Sequence, residues 1–439
     1  ISLVKETLPH ELTGVGCTLY FAAYNEPGGS QLWRSDGTEA GTRMVTDLGP
    51  EPEGLSPHYL TNVKGTLFFA AREGGDNDRL WKSDGTPRGT KLVRVKHGAE
   101  PLDPRDLTNV NGTLFFTAET EHNHGAQLWK SDGSAAGTRM VAEINPDPDS
   151  FRPGNITDVK GTALFSANDG THGRELWRSD GTTAGTTMVK DINPGPESSI
   201  NAIVHFAEAG GRLFFAADDG THGIEPWSSD GTAAGTRLAR DINPGARDSS
   251  PRSLTAFNGA LAFSASDGTT HGREPWRSDG SPAGTTMIAD VFPGPRNSNP
   301  LDLTDIGHAL FFRADDGVHG IELWRSAGAG AGTRMVRDIN PGPSGSFPDD
   351  LTNLGGIPYF AAHDGTHGQR LWRSAGTAAT TTMVDARAGA APFNPRGLTN
   401  VNGTLFFSAF NGDETTWLYK AGRAAHRRAE QQQCGKKRR

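Results

Sequence analysis

The chain has 439 residues, 57 of them Gly and 27 Pro, and only 34% are hydrophobic. That composition leaves either extensive disorder or many short strands joined by tight turns. Its net charge of −8 conceals an acidic body: residues 423–439 carry seven Lys/Arg against Glu430, so the remainder stands at −14 and repels phosphate backbones, which argues against nucleic acid as a partner. No run of eighteen apolar residues exists to form a membrane-spanning helix. Two cysteines, Cys17 and Cys434, are too few for a disulfide framework, and the sequence leaves open whether they pair.

Along the chain, Ser2–Lys5 (SLVK) reads as a strand with no partner nearby, and residues 11–15 (ELTGV) open the first complete copy of a repeat. Nine tryptophans set its period: Trp33, Trp81, Trp129, Trp177, Trp227, Trp276, Trp324, Trp372 and Trp417 lie 48, 48, 48, 50, 49, 48, 48 and 45 residues apart and read as one register. Each copy shows four strands. The first is L-T-x-V, as at 107–110. The second is of the L-F-F-A-A type, as at 114–118, apolar enough to be buried on both faces. The third carries the tryptophan, as at 175–179, and the fourth is M-V-x-D, as at 188–191.

The turns agree with this division. Asn111-Gly112, Asn258-Gly259 and Asn402-Gly403 fall between first and second strands, where a two-residue hairpin needs positive φ. Between third and fourth strands lies S-D-G-T-x-x-G-T, whose aspartates (Asp36, Asp84, Asp132, Asp180, Asp230, Asp279) can accept backbone N–H groups two residues on. Four antiparallel strands every forty-odd residues form a β-propeller blade, all-β and closed. In the last copy, strands at 405–409 and 417–420 have no fourth strand after them, and Ser2–Lys5 supplies it. This gives nine blades in a single domain over residues 1–421, with eight blades plus an irregular segment as the alternative. Residues 422–439 are basic and without strand periodicity, and read as a disordered tail.

At E-L-W-R-S-D-G-T (residues 175–182) the sequence resembles the bacterial ELWxxDGT-repeat family, over essentially all of 1–421. The resemblance implies a propeller and a secreted or cell-surface location, and no chemistry. The S-D-G spacing differs from the S-x-D-x-G of Asp-box turns in sialidase-type propellers.

Loops between second and third strands, and those linking blades, emerge together and are the long ones, so binding is expected there. Five successive copies carry D-G-(T/V)-(T)-H-G: Asp169 with His172, Asp219 with His222, Asp267 with His271, Asp316 with His319, and Asp364 with His367. A partial form ends in His124-Gly125. The linkers add D-I-N-P-G aspartates Asp191, Asp241 and Asp338, with Asp290 in a variant. One reading makes these aspartates ligands of a hard cation such as Ca²⁺ and the histidines ligand contacts, although the dense D-x-D-x-D-G pattern of calcium loops is absent. The other makes Asp-Gly a turn and has the histidine pack or hydrogen-bond between blades. The tryptophans read as inter-blade packing residues, with their N–H groups satisfied by a neighbour, rather than sugar platforms.

Catalysis requires one blade to be singled out. The departures are His205 and Glu208 in blade five, His58 with Tyr59, Arg313, and the loss of the turn aspartate at Ala327 and Ala375. No nucleophile elbow, H-E-x-x-H, P-loop or dinucleotide fingerprint is present. The expectation is a monomeric, non-enzymatic propeller that binds an extracellular glycan, polymer or protein. A polysaccharide hydrolase or lyase using His205 and Glu208 is the alternative.

Overall fold

The computed structural model describes residues 1–24, 29–45, 54–72, 77–96, 100–120, 125–147, 152–201, 205–384, 393–410 and 415–422. Among them lie nine four-stranded antiparallel sheets, so the chain is a nine-bladed β-propeller. Eight blades use four consecutive strands, at 8–44, 58–92, 101–142, 154–190, 207–238, 252–287, 301–337 and 349–383. The ninth joins Arg396–Val401, Thr404–Phe410 and Thr416–Gly422 to Ser2–Lys5, with Ser2 opposite Lys420 and Leu3 opposite Tyr419. The terminal strand thus completes the last sheet as expected, and that sheet runs one residue past the expected boundary, to Gly422. The tail beyond it, with Cys434, lies outside the described residues, as does the question of its pairing with Cys17.

The blades form two compact units. One holds blades one, two, eight and nine, and the other, at 94–347, holds blades three to seven. Within each, the second strands are the core because apolar side chains alternate between two neighbouring blades. Leu213, Phe215 and Ala217 of blade five meet Val159, Leu164 and Leu176 of blade four, whereas Phe214 on the opposite face meets Leu261, Phe263 and Ala265 of blade six. Each such buried phenylalanine contributes about 2–3 kcal/mol by area.

The tryptophans face this core. Phe21 lies opposite Trp33 in register, with rings stacked at 6.2 Å, and Phe69–Trp81 and Phe116–Trp129 repeat the pair. One correction concerns the ninth. Trp417 lies opposite Ala409, while Tyr419 lies opposite Phe407 and stacks on it at 6.0 Å. Tyr419 therefore holds the tryptophan position, and Trp417 is two residues out of register. A second correction concerns the indole N–H groups. Trp324 and Trp372 donate to Ala314 and Ala362 carbonyls of their own blades, while Trp33, Trp81, Trp129, Trp177 and Trp276 have buried Nε1 atoms with no partner among the described residues.

First strands other than blade five's are bulged just before their Leu/Ile-Thr pair, at a residue in the left-handed region such as Asp106 (φ 52°), Asn155 (φ 60°) or Ser253 (φ 53°). The bulge aims the threonine at the next blade: Thr108 donates to Ile156 O at 3.2 Å, and Thr255 to Leu303 O at 2.6 Å. The S-D-G-T turn is held by its own side chains. In blade four Thr182 N–H donates to Asp180 Oδ1 at 2.8 Å, and Ser179 Oγ lies 2.8 Å from Thr186 Oγ1. A Cβ on Gly185 would stand 2.2 Å from that carboxylate, so only glycine fits. Ala327 and Ala375 remove the carboxylate from blades seven and eight, where the turn becomes a 3₁₀ turn at Gly330–Gly332 and Ala378–Thr380.

Candidate functional site

The five D-G-x-H-G loops share one geometry. In blade four Asp169 Oδ1 accepts the N–H groups of Thr171 and His172, each at 2.9 Å, and Oδ2 takes His172 Nδ1 at 2.8 Å. Asp219–His222, Asp267–His271, Asp316–His319 and Asp364–His367 repeat the side-chain bond at 2.6–2.8 Å. The histidine is therefore fixed by its own loop and not, as expected, by an adjacent blade. Its imidazole stays more than a third exposed in every copy. His124 lies outside the described residues.

The bond raises the pKa of His172, His222, His271 and His319 above the usual imidazole value, because the carboxylate stabilises the protonated ring. Partial burial opposes ionisation of Asp169, Asp219, Asp316 and Asp364. The histidine N–H and ring outweigh it, and these carboxyls end below the usual range.

These carboxylates thus spend both oxygens on their own loop, which leaves little for a cation. The linker aspartates differ. Asp241 and Asp290 each take a glycine N–H at 3.3 Å through Oδ2, while Oδ1 of Asp191, Asp241, Asp290 and Asp338 is buried with no hydrogen-bond partner among the described residues. These four atoms are the better-placed oxygens for a cation. Among the described residues, however, no three His, Cys, Asp or Glu side chains converge on such a point.

The linkers beside these loops are anchored by buried third-strand residues that carry no signal in the repeat pattern of loops and turns. The glutamates of E-L-W (Glu175, Glu225, Glu274, Glu322) are fully buried. Glu225 accepts Ile242 N–H at 2.9 Å, Ser249 N–H at 2.9 Å and Ser249 Oγ–H at 2.7 Å, so it ties its blade to the linker that follows. Glu175 does the same with Ile192 and Ser199, Glu274 with Val291 and Ser298, and Glu322 with Asn340 and Ser346. Burial, partly offset by these donors, pushes Glu175, Glu225 and Glu274 up to about 7. The sequence signal was available: each glutamate has a serine 24 residues on, and only in these four copies. Against this anchored linker the D-G-x-H-G loop packs closely. A Cβ on Gly173 (φ 70°) would lie 2.4 Å from Glu197 O.

The irregular residues do not assemble into an acid–base pair. Glu208 accepts Gly211 N–H at 2.7 Å, holding the hairpin turn as Asp158 holds Gly161 and Asn109 holds Gly112. His205 is exposed on the segment just before that strand. His58 pairs with Asp78 at 3.1 Å and rests edge-on against Tyr59, and Arg313 pairs with Asp302 at 3.1 Å.

No protein-family model matches the chain, and no curated protein matches it. Solved structures of similar fold include a puromycin hydrolase mutant, with 15% identity, 92% of this chain and 58% of that one covered, and a TM-score of 0.42. A prolyl endopeptidase covers 82% and 55% at 13% identity and a TM-score of 0.46. The β-propeller domain of the Trilobed protease from Pyrococcus furiosus covers 76% and 99% at 10% identity and a TM-score of 0.39. The chain spans less than two thirds of the length of the first two.

Proposed function

We propose that this chain is a non-enzymatic binding propeller of the ELWxxDGT-repeat kind, secreted or displayed at the cell surface, that engages a repetitive glycan through its long-loop residues. The observation that carries the reading is the repetition of one half-exposed imidazole, each held by an aspartate of its own loop, in five blades. Preorganised side chains repeated from blade to blade suit a ligand that itself repeats, because several weak contacts then act together. The hydrolase or lyase alternative has no observation in its favour, since Glu208 is committed to a turn.

Binding of purified protein to a panel of immobilised polysaccharides tests this. One polymer is expected to bind, with His222→Ala weakening it a few-fold and combined His172→Ala, His222→Ala, His271→Ala and His319→Ala weakening it about a hundredfold or more. Binding unaffected by the combined variant removes the histidines from the site. No binding across the panel sinks the glycan reading.

A further inference from the structure

We infer that blade six carries an oxyanion site, formed by Arg252, Arg273 and the Ser264 hydroxyl, that takes a carboxylate or sulfate group. Arg252 lies opposite Ser264 in register and Arg273 opposite Ser266, so the three side chains share one face of the sheet. That face is the one whose Ala262 packs on Leu303, Leu310 and Phe312 of blade seven. Arg273 spends its guanidinium on neutral oxygens: Ser250 O at 2.9 Å, and Ser264 O and Ser249 O at 3.3 Å. Arg252 donates to Asn299 Oδ1 at 3.3 Å. Neither belongs to an ion pair among the described residues. Ser264 is fully buried, and its Oγ has no hydrogen-bond partner among the described residues.

Blade four shows what is missing. There Gly154 stands opposite Ser166, in the place of Arg252, and Arg174 stands in the place of Arg273. A Cβ on Gly154 would come within 3.2 Å of Asp106 Oδ2 and 3.7 Å of Arg174 Nη1, so blade three's carboxylate fills the space beside the guanidinium. Ser166 Oγ is satisfied there by Arg174 Nη1 and Gly154 O. Asp106 stands six residues before Gly112 of its hairpin turn, and His205 stands six before Gly211. By this alignment blade five has a histidine at the position where blade three has an aspartate. The result is two guanidiniums and a free hydroxyl with no carboxylate. Burial first, and then the charge of Arg252, bring Arg273 down to about 10, the mark of a cation short of a counter-charge. An oxyanion supplies that charge, and two arginines bind one by paired N–H donors.

The site deepens the glycan reading by pointing to acidic sugars, but its chemistry can be tested without any polymer. Calorimetric titration with sodium sulfate and sodium glucuronate, at ionic strength held constant with NaCl and with glucose as the neutral arm, is the experiment. Saturable binding of sulfate or glucuronate, and not of glucose, is expected, and the stronger of the two identifies the source of the group. The double variant Arg252→Gly with His205→Asp rebuilds the blade-four arrangement. It should unfold no lower than the parent while weakening the oxyanion by about tenfold or more. Equal binding by parent and double variant, or no saturable binding by the parent at about 10 mM, overturns the site. Oxyanion binding that survives a failed polysaccharide panel leaves this inference standing and removes only the glycan reading.

Discussion

Blades four to seven and blades one and eight solve the same problem with different chemistry. In both groups a linker residue sends its carbonyl to the last residue of the following blade's second strand: Ser199 O accepts Asp218 N–H, Leu55 O accepts Arg72 N–H, and Phe393 O accepts Phe410 N–H. In blades four to six that linker residue is a buried serine tied to a buried glutamate, and blade seven keeps the same pair in Ser346 and Glu322. In blades one and eight it is Leu55 or Phe393, each 2% exposed, and the position of the glutamate holds Gln31 or Arg370. Blade three is intermediate, with Gln127 donating to Asn145 O and accepting Ile144 N–H. The backbone path of the linker is therefore independent of what fixes it. What the carboxylate adds is saturation of several linker N–H groups at once, in the blades that also carry four of the five aspartate–histidine loops.

The sharpest way to break the comparison is to remove a latch. Glu225→Ala leaves two or three buried N–H groups and the Ser249 hydroxyl without an acceptor, and is expected to cost about 4 kcal/mol, given roughly 1–3 kcal/mol for each orphaned group and incomplete additivity. Gln31→Ala in blade one should cost less than half as much, because Gln31 Oε1 accepts no linker N–H among the described residues and its loss orphans none. Urea unfolding of the two variants measures the difference. Equal losses would mean that the glutamate is only a space-filling residue.

The two groups should also diverge with pH. The native state keeps protons on Glu175, Glu225 and Glu274 up to about 7, whereas the unfolded chain releases them near 4.5. Their contribution to stability is thus complete below 4.5 and is lost as pH rises through 7. The raised histidines act with the same sign: their contribution is whole below 6.5 and is lost as pH climbs through their higher folded values. The lowered loop aspartates act oppositely, losing theirs as pH falls below the usual carboxyl range. The unfolding midpoint should therefore peak in mildly acidic solution and decline from pH 6 to 8, a slope that Glu225→Gln flattens. A midpoint that rises over that interval contradicts the assignment.

The fold was legible because a 48-residue period, Asn-Gly hairpins and a strand-like Ser2–Lys5 all carry local signals. Trp417 misled because a residue type was read as a register. The spacing of 45 was the warning, and Phe407 opposite Tyr419 is the correction. The Glu–Ser latch was invisible strand by strand, since it joins residues 24 apart whose meeting depends on the linker's return path. The histidine's partner was misplaced for the opposite reason: Asp169 and His172 are three residues apart, and the turn closes on itself before any adjacent blade is reached. The chemistry of blade six was hidden more deeply. Arg252, Arg273 and His205 are ordinary residues until blade four shows a glycine and an arginine, and blade three an aspartate, in the matching places.

The smallest expected difference lies in the turns of blades seven and eight, where the sequence had already flagged the missing carboxylate. Asp180→Ala in blade four removes a bond to Thr182 N–H at 2.8 Å and one to Thr182 Oγ1 at 2.7 Å on an exposed turn, and should lower the unfolding midpoint only slightly. The reverse change is more informative. Gly332 occupies the place of Gly185, and a Cβ there would meet Ala327 Cβ at 2.9 Å, so the glycine that admits an aspartate is already present. Ala327→Asp should convert the 3₁₀ turn to the form seen in blade four. It should also stabilise the protein by a few tenths of a kcal/mol, less than Asp180→Ala costs, because Ala329 lacks the hydroxyl that supplies the second bond. Paired thermal melts of the two variants decide it. A loss of stability in Ala327→Asp would show that the 3₁₀ turn is favoured by the rest of blade seven and not merely left over when the aspartate is absent.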